Sequence, residues 1–261
     1  MIFHIMSKKI LIFVILSALF LSNTLAQSNN VRDETGNISH SVLVELGSLT
    51  TCPYCPEAIN TLNNLLDSQE LPFYYITLVY DKSEVAQKRG MWLGDVYVPV
   101  AYVDGGYRIV QESSEREFRD AIEAAMEREV NDIKMEVDGK WSGNDIMIYL
   151  NITNDDEKRH LEHLKVCIIE INSRWQDYDG DQIHYALMDY AFNGYIILKS
   201  GATKKIEIKW NNKYDLKEGN AMILACAADW HPWLLKNPWN DPLWSAYFIS
   251  QFVDNVAAIA L

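Results

Sequence analysis

Two cysteines separated by two residues, Cys52-Pro53-Tyr54-Cys55, are the strongest chemical signal in this chain. Such a pair can close a disulfide on itself, exchange it with another thiol, or hold a metal ion. Zinc needs two further thiolate or imidazole ligands at compatible spacing. The nearest histidine, His40, lies twelve residues upstream of Cys52, and the other cysteines, Cys167 and Cys226, lie far downstream. The spacing therefore argues for redox chemistry with no metal and no cofactor. In that chemistry Cys52 attacks a substrate disulfide, or is attacked when already oxidised, and Cys55 resolves the mixed disulfide.

The surrounding pattern positions the pair. SVLVEL (41–46) reads as a strand entering the motif. Residues 57–67 carry Ala58, Leu62, Leu65 and Leu66 on one helical face. Cys52 then stands just ahead of a helix, exposed, where backbone N–H groups without intrahelical partners favour its thiolate. Pro53 and Pro56 remove two donors, so Tyr54, Cys55 and Glu57 supply the rest. FYYITLVY (73–80) fits a buried strand. Asp81 with Glu84 predicts a capping box for a short helix, and Ser114 with Glu117 predicts a second, ahead of Phe118, Ile122 and Met126. Between them VPVAYV (98–103) and YRIVQ (107–111) form a hairpin through Asp104-Gly105-Gly106. The expected order is β-α-β-α-β-β-α.

Beyond residue 130 the period changes to two. Ile133, Met135 and Val137 alternate with polar residues, as do Ile146, Ile148, Leu150 and Ile152, and then Ile206, Ile208 and Trp210. Apolar runs at 164–171, 185–198 and 221–228 add strands, with turn residues between them, and 245–259 reads as strand or helix. About seven strands with such punctuation predict a β-sandwich. Cys167 and Cys226 fall in two of these runs. They are read either as a structural disulfide or as free core thiols.

The strand–CPYC–helix start, with Val98-Pro99 at the head of a hairpin forty-four residues after Cys55, resembles the thioredoxin-like superfamily. The resemblance covers roughly residues 41–128. The motif string is similar to that of many glutaredoxins, and the valine before the proline is similar to exported disulfide oxidants. TCPYCPEA with a trailing sandwich resembles exported two-domain proteins with an Ig-like tail. The resemblance implies that Pro99 is cis and packs on the cysteines. It also implies that Val98 pairs with bound polypeptide beside Tyr54, and that a buried acid on the leading strand relays protons. Glu45 is the candidate for that relay, against the default of a surface glutamate. Thr51 departs from the family by standing where a tryptophan is usual.

The resulting expectation is an α/β thioredoxin-like domain (41–129) followed by an all-β Ig-like sandwich (130–261), behind a signal peptide (1–26) and a linker (27–40). Lys8 and Lys9, the apolar run Ile10 to Leu21, and Thr24-Leu25-Ala26 compose the leader. They place the chain outside the cytoplasm: periplasmic, extracellular or on the cell surface. A net charge of −13 repels phosphate backbones and anionic lipid, which discounts nucleic acid and membrane surfaces as partners, and no stretch after the leader reads as apolar enough for membrane insertion after cleavage. The partners expected are cysteine-containing polypeptides and a redox partner protein or small thiol. The competing reading is a non-catalytic binding module with a static disulfide. DWHPWLLKNPWNDPLW (229–244) holds four Trp and three Pro; it reads as a loop folded back on the protein, or as a peptide-binding surface. Asp177-x-Asp179-Gly180-Asp181 has its glycine at the wrong position for an EF-hand and reads as a solvated turn. Asn37-Ile38-Ser39 and Asn151-Ile152-Thr153 match glycosylation acceptors.

Overall fold

Three short strands, β1 (Ala26–Ser28), β2 (Val31–Arg32) and β3 (Ile38–Ser39), precede the cysteine motif in the computed structural model. The structure describes residues 26–28, 31–32, 38–239 and 243–261. The proposed leader up to Thr24-Leu25 and the Asn37 acceptor therefore lie outside the described residues. Strand β4 (Val42–Ser48) leads into helix α1 (Cys55–Ser68), then β5 (Phe73–Val79) and α2 (Glu84–Trp92). The hairpin β6 (Val100–Val103) and β7 (Arg108–Val110) precedes α3 (Glu115–Met126). The rest is strand: β8 (Ile133–Ser142), β9 (Asp145–Asn154), β10 (His160–Gln176), β11 (Gln182–Leu198), β12 (Ala202–Trp210) and β13 (Ala221–Asp229). A hairpin of β14 (Trp233–Lys236) and β15 (Tyr247–Ser250) follows, and β16 (Val253–Ala260) closes the chain.

The expected α/β thioredoxin-like domain followed by an Ig-like sandwich is corrected by the sheet topology. Among the described residues the protein is mostly β, with three short α-helices, around one mixed sheet in the order β16-β13-β10-β11-β5-β4-β6-β7. That sheet runs through the expected boundary at residue 129. The join is a parallel pairing of β11 with β5 at Ala186 and Thr77, where the Thr77 hydroxyl also donates to the His184 carbonyl at 2.7 Å. The physical reason lies in β5. FYYITLV is apolar on both faces, and left as an edge it would expose a row of unpaired backbone groups. The long β10–β11 hairpin, with register shifts along its length, covers that edge. A second, four-stranded sheet in the order β1-β8-β9-β12 also breaks the expected division, because β1 comes from ahead of the cysteine motif and pairs Ala26 with Val137.

Three cores follow from this layering. Alternate residues of β8 and β9, including Ile133, Val137, Ile148 and Ile152, pack against Leu164, Val166 and Ile223 of the large sheet. Val44 and Leu46 of β4 meet Ala58, Ile59 and Leu62 of α1 and Phe118 and Ile122 of α3. On the opposite face Leu43, Ile76 and Tyr102 pack with Ala86 of α2 and Leu93 just after it, and with Cys167, Leu224 and Val256 from the far strands. That third core unites the two halves. At the seam Asp104 accepts from the Leu43 N–H at 3.0 Å, lies 2.5 Å from Nε2 of buried His40, and pairs with Arg128 at 3.3 Å.

Local signals explain the helix starts. Ser114 caps α3 by accepting from the Glu117 N–H. For α2 the capping residue is Ser83, whose hydroxyl accepts from Ala86 N–H at 3.2 Å, and not Asp81. Asp81 instead accepts from the backbone and hydroxyl of Thr50, which pins the loop ahead of Cys52. Asp177 accepts from the N–H groups of Asp179 and Asp181 and so closes the β10–β11 turn. Asn151 lies within β9, its amide donating to Glu136.

Candidate active site

Cys52 and Cys55 are joined as a disulfide at the start of α1, their Cα atoms 5.5 Å apart. Tyr54 is the residue that caps the helix, and its side chain makes no capping hydrogen bond. The first-turn N–H groups therefore keep their field toward the pair. Pro56 sits in that first turn, where a missing N–H costs no helical bond. Cys55 is completely buried. Cys52, expected to be exposed, is 6% exposed; the motif's surface is made by Pro53 and Tyr54. The cause is a contact on the other side: the Cys52 sulfur lies 3.8 Å from the Val98 carbonyl oxygen. The Val98–Pro99 peptide bond is cis.

The loop that presents Val98 is held from the far end of the chain. The Asn237 amide donates to the carbonyls of Leu93 (2.9 Å), Gly94 (3.4 Å) and Ser245 (2.8 Å), and Tyr102 donates to Leu93 and to Asn237. The Tyr97 ring packs edge-on against Trp239 at 5.4 Å. The described residues of the tryptophan-rich stretch up to Trp239 are thus folded back on this loop. No local pattern marked Asn237 for this task. Asp95, in the same loop, also went unread. It is half-buried beside Gly47, where a Cβ would come within 2.4 Å of its carboxylate, and accepts from the Tyr80 hydroxyl at 2.5 Å. Burial pushes its carboxyl up to about 7.

Glu45 is no surface residue, and the geometry gives it a partner other than the cysteines. Alternation along β4 turns Val44 and Leu46 toward α1 and puts Glu45 on the opposite face. There it forms a two-point pair with Arg89 of α2, at 2.8 and 2.6 Å. Burial would raise its carboxyl, but the charges of Arg89 and Lys165 outweigh that and hold it at about 2. A permanently ionised carboxylate is a poor proton relay, so the relay expectation is replaced by a structural ion pair.

Cys167 and Cys226 are free and buried, which corrects the structural-disulfide alternative. They lie on adjacent strands of one sheet. The register puts Cys226 opposite Lys165 and Cys167 opposite Leu224, so the two thiols are diagonal neighbours, beyond the usual reach of a bridge. Burial pushes both thiols up, Cys226 to about 12. Among the described residues, no cluster of three or more His, Cys, Asp or Glu side chains is arranged to hold a metal ion. Among them, too, no helix is long and apolar enough to cross a membrane.

No family model and no curated protein matches this chain. Among solved structures, its fold is similar to that of protein AGR_C_4864 from Agrobacterium tumefaciens. The TM-score is 0.53 at 16% identity, over 84% of this chain and 93% of that one. A β-glucosidase from Kluyveromyces marxianus overlaps 52% of this chain and 14% of its own, with TM-score 0.30 and 14% identity. One from Listeria innocua overlaps 52% and 17%, with TM-score 0.27 and 9% identity. The Agrobacterium likeness concerns the fold alone, and the glycosidase overlaps bear on nothing further.

Proposed function

We propose that this chain is a thiol–disulfide oxidoreductase acting outside the cytoplasm on cysteine-containing polypeptides. The observation that carries the reading is the Cys52–Cys55 disulfide at a helix start, 3.8 Å from the carbonyl that precedes Pro99. In the oxidising direction a substrate thiolate attacks the Cys52 sulfur. The S–S bond breaks, Cys55 leaves as thiolate, and a mixed disulfide forms. The second substrate thiolate then attacks the substrate sulfur and releases Cys52 as thiolate. The substrate gains one disulfide and the protein two thiols, which a redox partner protein or a small disulfide reoxidises. Run backward, the same steps reduce a substrate. The Val98 backbone and the exposed Tyr54 ring flank the approach to Cys52 and would align the incoming chain. The likeness of the motif and its proline to the thioredoxin-like superfamily supports this chemistry and is carried over for the site alone. The leader pattern supports export.

Replacement of Cys55 by Ser tests the proposal. Mixed disulfides with exported polypeptides should accumulate on Cys52 and dissolve in reductant, and Cys52→Ser should abolish both trapping and turnover. Equilibration of the wild type with glutathione should interconvert its dithiol and disulfide forms. A motif disulfide that glutathione leaves untouched, in a protein that exchanges with no peptide dithiol, would replace the enzyme by a binding module.

A further inference from the structure

A cavity of about 550 Å³ lies between α2 and the β10–β11 hairpin, away from the cysteine motif. Its volume is in the range of small-molecule sites. Trp92, Tyr190 and Tyr195 form aromatic walls, and Ile249 and Gln251 close one side. The walls are fixed before any ligand arrives. His163 stacks on Tyr195 at 4.8 Å, and its ring nitrogens lie 2.5 Å from Gln251 and 2.7 Å from Asn193.

Three cations line this space: Lys88, Arg89 and Lys165. Arg89 uses Nε and Nη2 on Glu45, which leaves its Nη1 edge unused. Lys165 is 6% exposed and, among the described residues, its ammonium has neither a hydrogen bond nor an ion pair. Arg89 and Glu45 cancel, and Lys88 at the rim is paired with Glu84 at 2.6 Å. Lys165 is therefore the surplus charge. Burial, and then Arg89, push its ammonium down. An unpaired buried ammonium is costly, and a counter-ion seated in the cavity removes that cost. We propose that the cavity binds a small organic carboxylate with a flat apolar body, the carboxylate on Lys165 and the free edge of Arg89, the body between the aromatic walls. One surplus charge among largely apolar walls suits a monoanion of this kind better than a phosphate.

Calorimetric titration of the full protein tests this, with 1-naphthoate and indole-3-acetate as probes. Their uncharged amides and inorganic phosphate serve as comparisons. Saturable binding of the carboxylates is expected, with the amides at least about tenfold weaker and phosphate weaker still. Lys165→Met, which keeps the length of the side chain, should weaken the carboxylates by about tenfold or more. Trp92→Ala alters a rim residue that is 64% exposed, so it should fold normally and still lose several-fold in affinity. A Cys52→Ser/Cys55→Ser protein should bind as the wild type does, which separates this site from disulfide exchange. Absence of heat with either carboxylate at millimolar concentration would overturn the assignment. So would equal binding of carboxylate and amide, tighter binding of phosphate, or indifference to both the Lys165 and Trp92 substitutions.

Discussion

Asn237 and Leu93 stand 144 residues apart in the chain, and the side-chain amide of Asn237 donates to the Leu93 carbonyl at 2.9 Å. Through that bond, and those to Gly94 and Ser245, the C-terminal hairpin sets the loop that brings Val98 against Cys52. Asn237→Ala leaves these buried carbonyls and the Tyr102 hydroxyl short of a partner, at a cost of about 1–3 kcal/mol. Denaturant unfolding should register that loss. The rate of exchange between Cys52 and glutathione should fall several-fold under conditions where the variant is fully folded. A stability loss with an unchanged rate would mean that the loop holds Val98 without the hairpin.

The Glu45–Arg89 pair makes a prediction in acid. Glu45 is held at about 2 when folded, against an ordinary 4.5. Its contribution to stability is thus complete above pH 4.5 and is lost as pH falls toward 2. Glu45→Gln strands the Arg89 guanidinium and should cost about 3–5 kcal/mol at pH 7, the usual scale for half of a broken buried pair. The double variant Glu45→Gln/Arg89→Met should recover most of it. Thermal unfolding between pH 2 and 7 reads both effects, and a flat difference between wild type and Glu45→Gln over that range would refute the assignment.

Glu162 carries the opposite sign. It is fully buried, with the Asp254 and Asp229 carboxylates beside it. Burial, and then the neighbouring Asp254 carboxylate, raise its pKa. The folded state therefore keeps a proton that the unfolded chain releases above about pH 4.5, and stability falls as pH rises past that point. Glu162→Gln removes the linkage. It should stabilise the protein by roughly 1–3 kcal/mol at pH 8 and be neutral below pH 4. Destabilisation at pH 8 would show that the fold favours the ionised carboxylate and would overturn this reading.

Thiol chemistry should separate the two cysteine pairs. The oxidised native protein should give no reaction with an aromatic disulfide reagent at pH 8, because Cys167 and Cys226 are buried and their thiols are pushed far above that pH. Denaturation without reductant should release two reactive thiols, and prior reduction should add those of Cys52 and Cys55. Fewer than two thiols in the denatured, unreduced protein would show that Cys167 and Cys226 are bridged.

The limits of sequence reading show at individual residues. Local signals are written in adjacent positions: the apolar face of α1, the Ser114 cap, the Asp104-Gly105-Gly106 turn and the alternation of β8 and β9 all act within a few residues of backbone. Each could be read before any tertiary contact was known, and so could the cysteine pair. Period two says which residues of a strand share a face, yet it names neither the face nor the neighbour. Glu45 therefore read as a surface residue by default, with the relay as the alternative, until α2 brought Arg89 to it. Asp81 read as the cap of α2, and the fold gave that place to Ser83 by drawing Asp81 to Thr50. The partner of β5, the packing of Asp95 against Gly47, the reach of Asn237 and the exposure of Lys165 to a cavity all depend on segments more than forty residues away. Strand pairing and burial are set by what the whole chain must cover, and covering the apolar β5 edge drew two expected domains into one sheet.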